Sequence, residues 1–169
     1  IRMSSGAEPM DLTSARGVDV AISYGQAVRR PGIEVVALGR EDIVPMCSPR
    51  LRPRGGSWKV LMAGATLIDS QLSDVTWRDW FALNGLAMPA SPHQSFDRGA
   101  LSISAAVDGM GVALETTRFA ERELARGDLV EVGRSMFQRI RREVHFLSVR
   151  SNERQVEKIA RFRQWLLSQ

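Results

Sequence analysis

SFDRGALSISAAVDGMGVAL, residues 95–114, is the stretch whose reading decides the fold. Asp97 is placed to cap a helix running to about Val107, and Gly109-Met110-Gly111 then turns the chain into the strand-like Val112-Ala113-Leu114. A helix delivered by a glycine turn into an apolar strand is half of an α/β unit. Downstream, residues 117–126 predict a further helix closing at Gly127, DLVEV (128–132) is strand-like, and REVHFLSV (142–149) predicts a long strand. The tail NERQVEKIARFRQWLLSQ is the clearest helix. Val156, Ile159, Phe162, Trp165 and Leu166 form one apolar stripe against Arg and Glu on the opposite face.

The upstream half follows the same alternation. Residues 1–4 suggest the end of a strand, and 9–17 a short helix stopped by Gly17. VDVAISYG (18–25) alternates as a strand does and ends at Gly25. IEVVALGREDIVPMCSP holds two strand-like runs broken at Gly39–Arg40, as a chain passing between two lobes would be. SWKVLMAG predicts a helix capped by Ser57, ATLIDS a strand, and VTWRDWFALNG a helix capped by Thr76 and ended by Gly85. Strands and helices alternating in this way suggest an α/β fold with mostly parallel sheets.

Composition narrows the function. With 44% apolar and 25% charged residues in 169, the chain is of globular type, with one domain or two small lobes. No apolar run is long enough for a membrane helix, and the start, IRMSSGAEPMD, has no signal-peptide core. The net charge is +4, and all basic residues but Lys59 and Lys158 are arginine. They are scattered, with local pairs at Arg29–Arg30 and Arg141–Arg142, which fits a solvated basic surface better than a nucleic-acid module.

Catalytic chemistry is hard to place. Cys47 is the single cysteine, so an internal disulfide and a multi-thiolate metal site are excluded, and its apolar run IVPMCSP suits a buried thiol. There is no GxSxG, GxxxxGK[ST] or HExxH. His93 and His145 are not near a carboxylate at metal-ligand spacing, and His145 has the setting of an ordinary strand histidine. The Gly-x-Gly at 109–111 follows a helix and precedes a strand, the reverse of a dinucleotide fingerprint. No catalytic residue, metal ligand or cofactor is expected.

Binding is easier to place. In open α/β sheets ligands sit beyond the carboxyl ends of strands, near helix N-termini. Tyr24, the only tyrosine, closes the strand 18–25 and has a ring to stack and a hydroxyl to donate. Asp97, Arg98 and Gly99 open the helix in the deciding stretch, where free N–H groups and Arg98 favour an anion. The competing readings are a tyrosine packed on the surface, and an Asp97 that merely caps while Arg98 points to solvent. Ser4 and Ser5 are a third possible contact.

Five blocks in order resemble the effector-binding domain of LysR-type transcriptional regulators, in the branch of the glycine-cleavage activators. They are ARGVDVAISYG (15–25), DIVPMCSPRL (42–51), WRDWFALNGL (77–86), SFDRGALSISAAVDGMGVAL (95–114) and VEKIARFRQWLLSQ (156–169). The resemblance implies a two-lobed, periplasmic-binding-protein-like (type 2) α/β fold with a small-molecule cleft between two Rossmann-like lobes. Residues 1–40 with 142–169 would form lobe I, lacking its first strand and helix, and 41–141 would form lobe II. It also implies a cytoplasmic homodimer or homotetramer that senses an amino acid, peptide or carboxylate and meets DNA only through a winged helix-turn-helix absent from this chain. Positions matching family ligand contacts are Ser4, Ser5, Tyr24 and Asp97 to Gly99. Ser23 stands where the branch often has Arg before Tyr-Gly, and Asp97-Arg98-Gly99 replaces a Ser- or Asp-rich turn. An exported solute-binding protein of a transport system is the alternative, which the lack of a signal sequence disfavours.

Overall fold

The computed structural model describes residues 1–6, 8–55, 57–90 and 92–168. The chain forms two compact units, Ile1–Arg40 with Glu143–Gln169, and Glu41–Arg142.

Unit 1 is a three-stranded antiparallel sheet. β1 (Val20–Tyr24) and β2 (Ile33–Ala37) flank β9 (His145–Arg150), in the order β1-β9-β2. Tyr24 stands opposite His145 and Ala37 opposite Phe146. α5 (Glu157–Leu167) covers one face: Ile159 packs on Leu147 and Val149, with Val20, Leu38, Phe162 and Leu166 around them. Trp165, expected in this apolar stripe, is instead about half exposed (55%). The 11-residue helix is shorter than the tail's pattern suggests.

Two upstream expectations fail. Residues 1–4 are in no strand, and 9–17 form turns instead of a helix. The Asp11 carboxylate accepts hydrogen bonds from the Thr13 N–H (2.9 Å) and hydroxyl (2.7 Å), a local turn that competes with helix formation. Arg150 then captures carbonyls that a helix would use: its guanidinium donates to the oxygens of Leu12 (3.0 Å), Ala15 (2.7 Å) and Val18 (3.0 Å) and to Glu153 (2.9 Å). Arg30 pairs with Asp11 from the far side.

Unit 2 carries a six-stranded sheet in the order β5-β4-β6-β3-β7, with β8 also on β3. The strands are β3 (Glu41–Cys47), β4 (Leu67–Ser70), β5 (His93–Phe96), β6 (Val112–Thr116), β7 (Val130–Glu131) and β8 (Ile140–Arg142). β4 runs parallel to β5 and β6, while β3 is antiparallel to β6, β7 and β8. The sheet of unit 2 is therefore mixed and that of unit 1 antiparallel, so neither is mostly parallel. The run 142–149 is also two pieces, β8 in this sheet and β9 in the other, separated at Glu143–Val144.

The helices of unit 2 are α1 (Trp58–Gly64), α2 (Trp77–Leu83), α3 (Gly99–Val107) and α4 (Glu121–Arg126). Ser57 caps α1 by accepting from the Lys59 N–H. Thr76 caps α2 within a full capping box, its own N–H donating back to Asp79 at 2.8 Å. α3 lies on one sheet face, where Ile103, Ala105 and Ala106 bury against Val44, Met46, Ile68 and Ala113. Trp77, Trp80, Phe81 and Phe137 form an edge-to-face and tilted aromatic cluster, and the Trp77 indole N–H donates to the Ile68 carbonyl at 3.1 Å. The glycine turn after α3 has a packing reason. A Cβ on Gly111 would stand 2.4 Å from the Thr66 carbonyl oxygen, so only glycine lets β6 enter beside β4.

Candidate effector site

The parallel strands β4, β5 and β6 end together in unit 2, at Ser70, Phe96 and Glu115–Thr116. α3 starts over this edge: the Ser102 hydroxyl donates to the Asp69 carbonyl at 3.3 Å. Three of the sequence-expected contacts, Asp97, Arg98 and Gly99, meet here. Asp97 does not cap the helix. Arg98 occupies the N-cap position in an extended conformation, with no side-chain cap bond. Asp97 instead pairs with the Arg98 guanidinium at 3.7 Å, and both side chains are half exposed.

Gly99 is buried for a local reason. A Cβ there would lie 2.7 Å from a Glu115 carboxylate oxygen and 2.8 Å from the Phe119 ring, so the first turn of α3 rests directly on a buried acid. The other Glu115 oxygen accepts the Thr116 N–H at 3.1 Å. The Thr116 hydroxyl donates to Glu41 at 2.6 Å, and Arg118 Nε lies 3.4 Å from the second Glu41 oxygen. Ser70 completes the edge. Its hydroxyl is buried and has no hydrogen-bond partner among the described residues. Buried polar atoms usually have a partner, so this hydroxyl is free to take up a water or a ligand group.

In unit 1, Tyr24 is half-buried at the end of β1, with its ring 5.0 Å from that of buried His145 and tilted by 41°. Gly25 follows and donates its N–H to the Val144 carbonyl at 2.9 Å. Ser4 and Ser5 are exposed and lie in no strand.

Sequence reasoning singled out none of Ser70, Glu115, Thr116 and Glu41. The signal for Glu115 was a lone acid inside the otherwise apolar VALET, in a strand buried on both faces. It also missed that His93 and Asp69, far apart in sequence, meet on adjacent strands with Nδ1 2.8 Å from the carboxylate. Among the described residues no group of three or more His, Cys, Asp or Glu is arranged to hold a metal. Burial pushes the Cys47 thiol up to about 11, which leaves it protonated and unreactive near neutrality.

Comparison with known proteins gives the family and the fold. The family described as the LysR substrate binding domain matches residues 1–169. An HTH-type transcriptional regulator of Sinorhizobium fredii, y4mQ, is 36% identical over 148 residues, 88% of this chain and 49% of that one. The glycine cleavage system transcriptional activator of Escherichia coli is 33% identical over 162 residues, 91% of this chain and 50% of that one. The chain thus spans about half the length of the curated relatives it matches. Among solved structures, the effector domain of the transcriptional regulator AmpR of Pseudomonas aeruginosa superposes with a TM-score of 0.80 at 27% identity. That match covers 99% of this chain and 79% of that domain.

Proposed function

The chain belongs to the family of LysR substrate-binding domains, the non-catalytic effector-binding part of LysR-type transcriptional regulators, and on that premise we propose how it meets its effector. The effector docks a hydrogen-bonding group against the strand-end edge of unit 2, beside Ser70 and the first residues of α3. One observation carries this reading: the buried Ser70 hydroxyl has no partner among the described residues, at the place where α/β sheets bind ligands. Tyr24, Ser4 and Ser5 join the proposal through the family resemblance alone.

The effector is an amino acid, short peptide or small carboxylate, sized for a few polar contacts. It acts by binding one conformation better than another, since a ligand shifts an equilibrium only through its differential affinity. The regulator works as a homodimer or homotetramer in the cytoplasm. The match of the whole chain to LysR domains favours this reading over a solute-binding protein of a transport system. A thermal-shift screen of amino acids, peptides and carboxylates, followed by calorimetry, tests it. Ser70→Ala should weaken the best ligand about tenfold, roughly the loss of one well-formed hydrogen bond, without lowering the melting temperature. Unchanged affinity would remove the edge from the site. Arg98→Ala separates the effector classes, because an anionic effector held by Arg98 should lose about tenfold and a neutral one should not.

A further inference from the structure

From Asp42 to Asp69 the sequence contains no acidic residue between these two, yet it carries Arg50, Arg52, Arg54 and Lys59. The chain has 23 basic and 19 acidic residues, so these four are the entire excess and everything outside them balances. Arg50, Arg52 and Arg54 lie on the connection between β3 and α1, and Lys59 follows in α1 itself. Pro49–Leu51 makes a single 3₁₀ turn, Arg52 continues in an extended conformation (φ −60°, ψ 126°), and Lys59 lies in the first turn of α1. All four side chains are exposed, and none enters an ion pair among the described residues. Elsewhere in the fold, arginines that hold structure are paired: Arg139 bridges Asp42 and Glu131 at 2.8 and 2.5 Å, and Arg150 holds Glu153. Pro49 and Pro53 each fix the backbone φ beside Arg50, Arg52 and Arg54, which lowers the entropy lost when these cations engage a partner.

We propose that this stretch is a contact surface for the phosphate backbone of duplex DNA, made by the effector-binding domain itself. Three guanidiniums in a short span suit phosphate, whose oxygens accept their paired N–H groups. The choice of partner follows from the relatives, which are HTH-type transcriptional regulators. A domain tethered to a DNA-bound neighbour meets phosphate at high effective concentration, so even a contact too weak to hold alone alters the complex. Phosphate contacts of this kind position the protein and read no bases. This departs from the expectation that DNA is met only through a preceding domain. It does not depend on where the effector binds.

The test measures binding of the chain to a labelled random-sequence duplex by fluorescence anisotropy while salt is raised from about 20 mM. The variant Arg50→Gln/Arg52→Gln/Arg54→Gln/Lys59→Gln is compared with Arg2→Gln/Arg16→Gln/Arg29→Gln/Arg122→Gln, which removes the same charge from other exposed positions. Far-UV circular dichroism and melting confirm that both are folded. The first variant should lose at least about tenfold in affinity at low salt, with the slope of log K against log salt flattening by up to about 3.6. The second should stay within about twofold of the parent. Equal losses in both would reduce the effect to net charge and overturn the proposal, as would no duplex binding by the parent at low salt. Preference for an acidic peptide over a duplex of equal charge would assign the surface to a protein partner instead, and would overturn it too.

Discussion

The two sheets of this molecule are built from similar residues but held by different forces. In unit 2, β3 is buried at six of its seven positions and β6 at all five, and apolar side chains cover the sheet. In unit 1, neither β1 nor β2 has a fully buried residue, and only the central β9 does. One face of that sheet has α5. Beside the strands lies the non-helical segment 9–18, tied down by the hydrogen bonds of Arg150 to its carbonyls. Where apolar burial is complete, packing fixes the structure. Where it is thin, a single polar side chain answering several backbone oxygens does so, because each unpaired acceptor would otherwise be costly.

That contrast breaks if truncating the core of unit 2 costs no more than removing the polar tie of unit 1. Trp80 is wholly buried and its ring packs edge-on to Phe81 and Phe137, so Trp80→Ala should destabilise by about 3–5 kcal/mol in urea unfolding. Arg150→Ala leaves three carbonyls and Glu153 without their shared donor and should cost about 2–3 kcal/mol. Hydrogen exchange should locate that loss within residues 12–18. Arg150→Lys should rescue little of it, because an ammonium cannot serve the same fan of acceptors as a guanidinium fork.

The same division explains what the sequence revealed. Elements with a strong local signal were legible: the Ser57 and Thr76 caps, and the strands ending at Gly25 and Gly39. The 9–17 segment was not, since its helical look is undone by a carboxylate two residues from Thr13 and an arginine more than a hundred residues away. β5 and the break between β8 and β9 were equally hidden, because they depend on which distant strand each run pairs with. At the candidate site, Asp97, Arg98 and Gly99 were readable as the start of a helix. Ser70 and Glu115 were not, since their meaning comes from strands adjacent in space.

Gly99 sharpens the comparison from the other side, since a densely packed unit should reject even one added methyl. Gly99→Ala places a Cβ against Glu115 and Phe119 and should cost about 1–3 kcal/mol by thermal melting, while weakening whatever binds at the start of α3. Ser70→Ala at the same edge should leave stability unchanged, because the hydroxyl it removes has no partner among the described residues. A stable Gly99→Ala would mean that this edge is looser than its burial indicates.

The smallest effects concern two carboxylates, one in each unit, that the fold holds below the ordinary value. For Asp42, burial pushes the carboxyl up, but hydrogen bonds from Arg139 and Arg141 and their charges outweigh it. For Asp11, the Thr13 hydroxyl and N–H do most of the lowering against a smaller opposing effect of burial, with Arg30 adding charge. A carboxyl depressed in the folded state stabilises above its unfolded value and loses that contribution as pH falls through the folded one. Both therefore lend stability at neutral pH that fades below about pH 4. Asp42→Asn should melt lower than the parent at pH 7 and converge with it in acid, and Asp11→Asn should do the same with a smaller gap. Salt divides them further. Raising ionic strength to about 1 M shortens the screening length to about 3 Å, which should narrow the Asp42 gap, built on two arginines, more than the Asp11 gap, built chiefly on neutral donors. Equal narrowing in both would mean that Arg30, and not the Thr13 turn, governs Asp11, and that the polar tie of unit 1 is as electrostatic as the strand edge of unit 2.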